Sequence, residues 1–303
     1  MQFRKQLATL LLTGVLIPGL QAEPNPAQLL SLGRMNEALA VLTNRNDPES
    51  LHLLSQAYYA LEHYDEAVKY GERAVALQPG NAKYHLWLAR EYGQKAAEAN
   101  PLAAATLARK AKNQFERAVQ LDPNNLQARS DLSEYYVEAP AIMGGGLDKA
   151  RGQAEAVAKS DPALSHWILA HIAEHEKHYE EAEQQLKQAL ALASDKADYW
   201  LHLASFYRSR GRLDEMESAV HSAMEVPDKH PESYCDAASV LLRAGRNYPA
   251  AVQYLKLYLN SGRLVQDAPA FQAYYMLGQL YEEMGNPAGA IAEYQASLAL
   301  ASL

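Results

Sequence analysis

The stretch whose residue types and spacing best fit metal chemistry is His171-Ile172-Ala173-Glu174-His175. On a helix, histidines at positions i and i+4 lie on one face, where both can bind the same zinc ion. Glu174 would then be the general base of a zinc-dependent hydrolase. This hypothesis needs a third ligand from elsewhere in the chain, and no acidic residue stands out as that ligand.

Other signatures of catalysis or cofactor binding are weak. Gly144, Gly145 and Gly146 resemble a phosphate-binding loop, but no strand precedes them and no Gly-Lys-Ser/Thr ending follows. The single cysteine, Cys235, lies among aromatic and small residues of a predicted helix, which favours a buried packing role. The sequence therefore predicts a protein that is not an enzyme, with no catalytic residues, no bound metal and no cofactor.

The elements that would position these residues are pairs of amphipathic helices, and residues 48–81 show the pattern most clearly. Large side chains recur at i, i+3 and i+7 on the first predicted helix, and small residues line one face of the second. These residues are Leu51, Leu54, Tyr58, Ala67, Gly71 and Ala74. One such pair leaves an apolar side uncovered, so the chain needs stacked copies.

Copies of the pattern are present along the chain. Each has a leucine, a small residue, two further residues and a tyrosine, and the copies begin at Leu54, Leu88, Leu132, Leu203 and Leu277. An alanine recurs in the second helices, at Ala67, Ala111, Ala150, Ala182, Ala251 and Ala290. In period, residue types and order, the pattern resembles the tetratricopeptide repeat family.

This resemblance implies an all-α fold, a right-handed superhelical solenoid of helix-turn-helix repeats over residues 23–303. We expect about seven helix pairs, of which the first, at residues 26–45, is a shortened cap. The repeat at residues 82–125 is lengthened in both helices. In the next repeat, residues 138–146 replace the short turn.

The resemblance also implies a concave groove, lined by the first helix of each pair, where such repeats bind a peptide or protein. Carried over by position, its residues are His52, Tyr59, Arg90, Trp167, His171, Glu174, Arg208 and Tyr275. We expect the Trp167 ring to face solvent beside Arg208, because aromatic and Arg side chains are frequent anchors of binding. A solvated, histidine-rich groove is then the preferred explanation of His171 and His175.

The N-terminus predicts export. Arg4 and Lys5 precede an apolar run over residues 7–20, and Ala22 precedes polar residues. This order is typical of a secretory signal peptide, here residues 1–22, with cleavage near Ala22. The run is shorter than the roughly 20 residues that span a bilayer, which disfavours a membrane anchor. We therefore expect a periplasmic or secreted protein with no membrane-spanning segment after cleavage.

Charge and the C-terminal sequence limit the partner. The chain has 28 Lys and Arg against 36 Asp and Glu, without basic clusters, which disfavours nucleic acid as a partner. The leading interpretation is a non-enzymatic scaffold that binds a peptide or protein. Besides the zinc hydrolase, the alternative is a structural protein that self-associates through its C-terminal end, because residues 296–303 carry few polar side chains.

Overall fold

The computed structural model describes residues 25–227 and 229–302, which fold into sixteen α-helices and one short 3-10 helix, Ala141–Met143. The first eight α-helices are α1 (Pro26–Ser31), α2 (Met35–Leu42), α3 (Pro48–Ala60), α4 (Tyr64–Leu77), α5 (Ala82–Glu98), α6 (Pro101–Leu121), α7 (Leu126–Glu138) and α8 (Leu147–Val157). The remaining eight are α9 (Pro162–His175), α10 (Tyr179–Leu192), α11 (Ala197–Ser209), α12 (Leu213–Glu225), α13 (Ser233–Ala244), α14 (Tyr248–Asn260), α15 (Ala270–Glu283) and α16 (Pro287–Leu300). No β-strand forms in these ranges, and the predicted all-α fold is confirmed.

The helices form eight consecutive pairs in the described ranges, whereas the sequence predicted about seven. The first pair, α1 and α2, has helices of only six and eight residues, which is the short pair expected at residues 26–45. The helices of each pair pack on one another, and each second helix packs on the first helix of the next pair. Neighbouring pairs thereby bury one another's apolar faces, as in a solenoid.

Five helices begin with the same local feature, an Asn or Asp cap followed by proline. The cap side chain accepts a hydrogen bond from a backbone N–H of the first turn, and proline at the first helical position lacks an N–H that would have no partner there. The cap and proline pairs are Asn25-Pro26, Asp47-Pro48, Asn100-Pro101, Asp161-Pro162 and Asn286-Pro287. The starts of these helices are thus encoded locally.

Small residues let the paired helices approach closely. The recurring alanine of the second helices is at most 2% exposed in the six copies Ala67, Ala111, Ala150, Ala182, Ala251 and Ala290. Gly71 of α4 has the same role, since a Cβ there would lie 2.1 Å from Glu91 Oε2 of α5. The close approach that the sequence pattern predicted is confirmed.

The loop between α7 and α8 replaces a short turn, as the sequence predicted. Gly144 has a φ of +95°, a conformation that residues with a side chain rarely adopt. A Cβ at Gly145 would lie 1.8 Å from the carbonyl oxygen of Ala139, so only glycine fits there. The hydroxyl of Tyr135 donates a hydrogen bond to the carbonyl oxygen of Met143 at 2.9 Å, which ties the loop to α7.

The two ends of the array meet. The turn between α1 and α2 lies against the start of α15, where a Cβ at Gly33 would be 2.8 Å from the backbone nitrogen of Ala270. Gly33 has a φ of +70°, so the turn and the close approach both require glycine. Asn36 Nδ2 of α2 donates to Ser302 Oγ, beyond α16, at 3.0 Å. The solenoid is therefore closed on itself.

An apolar cluster stabilises this closure. Phe271 of α15 is 9% exposed and packs in one cluster with residues of the first two helices, Leu29, Leu30, Met35 and Leu39. Leu300 and Ala301 pack against the same cluster. The prediction of an uncovered apolar C-terminal end is wrong for this surface, because the first pair covers it. Ile291 and Leu298 of α16 are still exposed, and self-association through them stays a prediction.

None of the helices in the described ranges is both long and apolar enough to span a membrane. The predicted signal peptide, residues 1–22, lies outside the described residues, and export stays a prediction.

Candidate functional site

Two neighbouring cavities follow the inner face of the closed array. The larger, cavity A, has a volume of about 1110 Å³ and lies between α7, α9, α11 and α13. The smaller, cavity B, has a volume of about 870 Å³ and lies between α3, α5, α7 and residues 266–272. Gln127, Asp131 and Glu134 of α7 line both cavities, so the two form one inner space.

Residues 266–272 form one wall of cavity B. They lie there because the two ends of the array meet. Tyr258 of α14, which is fully buried, holds this wall in place, since its hydroxyl donates a hydrogen bond to the carbonyl oxygen of Ala268. On the other side, Gln272 Nε2 of α15 reaches the carbonyl oxygen of Ala60, at the end of α3, at 3.5 Å. The first and last parts of the chain therefore contribute to one cavity.

Four of the eight groove residues that the sequence predicted line the inner space. Tyr59 and Arg90 line cavity B, and Trp167 and Arg208 line cavity A. The other four line neither cavity in the described part of the chain: His52, His171, Glu174 and Tyr275. The role of the eight residues in binding stays a prediction.

The Trp167 ring is buried, and the expectation that it faces solvent is wrong. Trp167 is 6% exposed, because two histidine rings pack on its indole. His171 of the same helix lies at a centroid distance of 4.2 Å, and His202 of α11 lies at 5.2 Å. The indole Nε1 is buried, and within residues 25–227 and 229–302 it has no hydrogen-bond partner. Trp167 therefore supports the wall of cavity A as a core residue.

His52 is also a core residue rather than a groove residue. It is 1% exposed, since the next pair covers it with Tyr84 and Trp87, whose ring centroids lie 4.6 and 6.1 Å away. Burial, assisted by the charge of Lys83, lowers the pKa of His52 to about 3, so the imidazole is neutral. One turn later on α3, Gln56 is 3% exposed and lines cavity B.

Arg90 is the basic group of cavity B, and its charge is already paired. Its Nε donates to Asp131 Oδ2 of α7 at 2.6 Å, and its guanidinium lies 5.2 Å from the ring centroid of Trp87. In cavity A, Arg208 Nε is buried and has no hydrogen-bond partner among the residues that the structure describes. Arg208 therefore lines cavity A without the carboxylate hydrogen bond that its counterpart Arg90 makes through Nε.

The histidine motif does not assemble a metal site. Burial lowers the pKa of His171 to about 4, whereas His175 at the end of α9 is exposed. Burial also raises the pKa of Glu174, an effect that Arg210 opposes. No group of three or more His, Cys, Asp or Glu side chains in the described ranges is placed to hold a metal ion. The zinc-hydrolase alternative therefore lacks its third ligand there.

Two other predicted residues lie away from the inner space. Cys235 is 6% exposed, and burial raises the pKa of its thiol to about 12, which confirms the predicted packing role. Tyr275 of α15 is 52% exposed and contacts Tyr294 of α16 at a centroid distance of 5.5 Å. It lies on the surface of the last pair.

Sequence reasoning placed Glu134 on the concave face but missed that it belongs to a group of carboxylates on the inner face of α7. This group, the α7 cluster, consists of Asp131, Glu134 and Glu138, which follow one another at helical spacing. Burial raises the pKa of Glu134, and the charges of Asp131 and Glu138 raise it further. The cluster lines cavity B.

A second group of carboxylates, the α13 cluster, was also missed. It consists of Asp198 of α11, Glu232 before α13 and Asp236 of α13, all of which line cavity A. Burial, followed by the charges of Asp198 and Glu232, raises the pKa of Asp236 to about 6. The helical spacing of Asp236 and Arg243 on one face of α13 was the signal that could have found the cluster.

The fold and the inner space define the class of protein: an all-α solenoid of helix pairs whose first helices line a cavity. Three segments match models described as tetratricopeptide repeat, at residues 48–81, 177–220 and 271–302. The predicted resemblance is confirmed, and these three segments are tetratricopeptide repeats.

The chain is similar to several solved structures. It is 25% identical to a thermophilic tetratricopeptide repeat protein of Thermus thermophilus, with 73% of this chain and 100% of that chain covered and a TM-score of 0.44. A tetratricopeptide repeat protein of Parabacteroides merdae is 12% identical over 86% of this chain and 96% of that chain, with a TM-score of 0.48. MamA of Desulfovibrio magneticus is 15% identical over 59% and 94%, with a TM-score of 0.38. No curated protein matches the chain.

Proposed function

We propose that this protein is an exported interaction scaffold, periplasmic or secreted, that binds an extended segment of a partner protein in its inner space. The tetratricopeptide repeats support a role as a protein-interaction scaffold. The observation that carries the finer proposal is the continuous inner space from α3 to α13, with Tyr59 and Arg208 in its walls. Tyr, Trp and Arg are the residue types that most often carry binding energy.

The size of the inner space favours one extended segment over a folded domain. Cavities of roughly 300–1,000 Å³ hold ligands of the size of a drug or a short peptide. Cavities A and B, at about 1110 and 870 Å³, are in or just above this range. A single polypeptide strand that runs from one cavity to the other would contact several first helices at once, which is how repeat proteins use their concave surfaces.

A photo-crosslinking amino acid at Ser205, which lines cavity A, tests this proposal in the cells that make the protein. We expect adducts that map to one segment of a partner, and none from the matched position Ser222, a half-buried serine of α12 that lines neither cavity. Trp167→Ala is a poor test, since loss of this buried ring would destabilise the fold by about 3–5 kcal/mol. Equal crosslinking from positions 205 and 222 would refute binding in the inner space.

Export has a separate test. The motivating observation is the order of basic, apolar and small residues over positions 1–22. N-terminal sequencing of the protein from fractionated cells should find a mature chain that begins near residue 23. Recovery of intact Met1 in the cytoplasmic fraction would refute export and leave binding in the inner space unaffected.

A further inference from the structure

We propose that the inner space selects an extended segment with two basic side chains, one held by the α7 cluster and one by the α13 cluster. This inference rests on the proposed function and names the chemistry of the partner. Asp131 and Glu134 of the α7 cluster line cavity A from the first of its four helices, and Asp236 of the α13 cluster lines it from the last, so the two clusters face each other across the cavity. A lysine or arginine of the partner would offset the repulsion between the carboxylates in each cluster.

The charge of cavity A favours a cationic partner. Seven carboxylates line it, against four Lys or Arg side chains. In the α13 cluster, His230 Nδ1 lies 3.7 Å from Asp198 and 3.6 Å from Glu232, and Arg243 is close enough to lower the pKa of Asp236. These neighbours offset the negative charge in part, and the pKa of Asp236 is still raised to about 6.

The α7 cluster has a comparable surplus of negative charge. Arg90 pairs with Asp131 at 2.6 Å, and Gln127 Nε2 donates to the other oxygen of Asp131 at 2.7 Å. Glu134 and Glu138, one helical turn apart, face cavity B together with Asp267 from the wall before α15. A basic side chain that enters from cavity A therefore meets carboxylates from α7 and from the segment before α15.

Unpaired polar groups in the walls point independently to a polypeptide. Trp167, 94% buried, lines cavity A with an Nε1–H that has no acceptor in the described ranges. Gln56, 97% buried, lines cavity B with an Oε1 that has no donor there either. An unpaired buried polar group costs about 1–3 kcal/mol. When either side chain turns toward its cavity, a peptide backbone supplies the complement, a carbonyl oxygen for Trp167 or an N–H for Gln56.

The spacing of the clusters sets the spacing of the basic residues. Three steps between neighbouring first helices separate α7 from α13, and packed helix axes lie about 8–10 Å apart, so the span is about 25 Å. An extended chain covers about 3.3 Å per residue, which places the two basic residues roughly eight positions apart. A bare metal ion fits less well, because no three potential ligands in the described residues converge on one point.

Synthetic fluorescent peptides of about ten residues test the inference on the intact mature protein. The first has lysines about eight positions apart in a Gly/Ser/Ala background, the second has the same two lysines side by side, and the third has glutamines in their place. We expect the first peptide to bind at least about tenfold more tightly than either control, with an affinity that falls as salt is raised. The peptide with adjacent lysines separates a spacing requirement from general attraction to an acidic protein.

Matched variants locate the binding. The double variant Asp198→Asn, Asp236→Asn keeps the shape of the α13 cluster and removes the charge of these two residues. It should weaken binding of the first peptide about tenfold and leave binding of the third, glutamine-containing peptide unchanged. The control double variant Glu180→Gln, Glu181→Gln, on the exposed face of α10, should leave the affinity for both peptides unchanged. Circular dichroism checks that both variants are folded.

The outcomes also separate this inference from the proposed function. If the three peptides bind alike, or if the α13 variant binds the first peptide as the wild type does, the basic partner is refuted and the inner space remains a peptide site. If no peptide binds while position 205 crosslinks a partner, the basic partner is again refuted. If position 205 crosslinks no partner that position 222 does not also crosslink, the proposed function itself is refuted.

Discussion

Glu91 of α5 has its carboxyl group buried in the contact with α4. The residue is 0% exposed, and the absence of a side chain at Gly71 leaves room for its Oε2. Neither carboxyl oxygen has a hydrogen-bond partner in the described part of the chain, and the neighbouring Ser55 hydroxyl donates instead to the carbonyl oxygen of His52. Burial raises the pKa of Glu91 to about 8; the nearby Ser55 hydroxyl opposes this shift and the charge of Glu72 adds to it.

This pKa shift makes the stability of the array depend on pH. Below pH 4.5, the ordinary pKa of a glutamate, Glu91 is protonated in both the folded and the unfolded chain. Between pH 4.5 and about 8, only the unfolded chain releases the proton, so the free energy of unfolding falls as the pH rises. At about 1.4 kcal/mol per pKa unit, the loss across this window is on the order of 5 kcal/mol.

We expect Glu91→Gln to remove this pH dependence. Glutamine has nearly the same shape and does not titrate, so the variant should gain stability relative to the wild type as the pH rises from 5 to 8. Its extra buried N–H adds an offset that does not vary with pH, which is why the slope is the informative quantity. Glu181→Gln, at an exposed position of α10, is the matched control.

Urea unfolding followed by circular dichroism at several pH values measures the slope. Because repeat arrays do not always unfold in one step, hydrogen exchange of α3, α4 and α5 should be read alongside. A slope of the Glu91→Gln variant equal to that of the wild type over pH 5–8 would show that Glu91 is ionised in the folded chain, and the argument from burial would be wrong.

Two further predictions concern the closure and the loop. In an Asn36→Cys, Ser302→Cys variant, a short bismaleimide should crosslink the two ends of monomeric protein. The control variant Asn36→Cys, Ser194→Cys has its second cysteine in mid-array and should not be crosslinked. Equal crosslinking yields for the two variants would contradict a closed array. Gly145→Ala should lower the midpoint of thermal unfolding, because the new Cβ would lie 1.8 Å from a backbone carbonyl oxygen. The control Gly152→Ala in α8 has no atom within 4 Å of its Cβ and should raise the free energy of unfolding by about 1 kcal/mol. A loop that tolerates alanine at position 145 as well as α8 does at position 152 would show that the close contact is absent in solution.

The sequence by itself determined the helices and their stacking. The pattern around Leu54, the recurring alanines and caps such as Asn100-Pro101 act within one or two helical turns, so their effect follows from residue spacing alone. The same local logic predicted the loop at residues 138–146 and the buried packing role of Cys235. It also placed Tyr59, Arg90 and Arg208 on helices that line the inner space.

Only the tertiary structure decided which side of those helices is exposed and where the array ends. Trp167 and His52 are buried because residues of the following pair pack over their rings, and such contacts depend on the rotation between pairs. The contact of Gly33 with Ala270 depends on the sum of all these rotations, including the lengthened pair α5 and α6. Each rotation is small and is set by side-chain packing, so no local pattern in the sequence encodes their sum. The closed inner space, and the carboxylates that it brings together, follow from that sum.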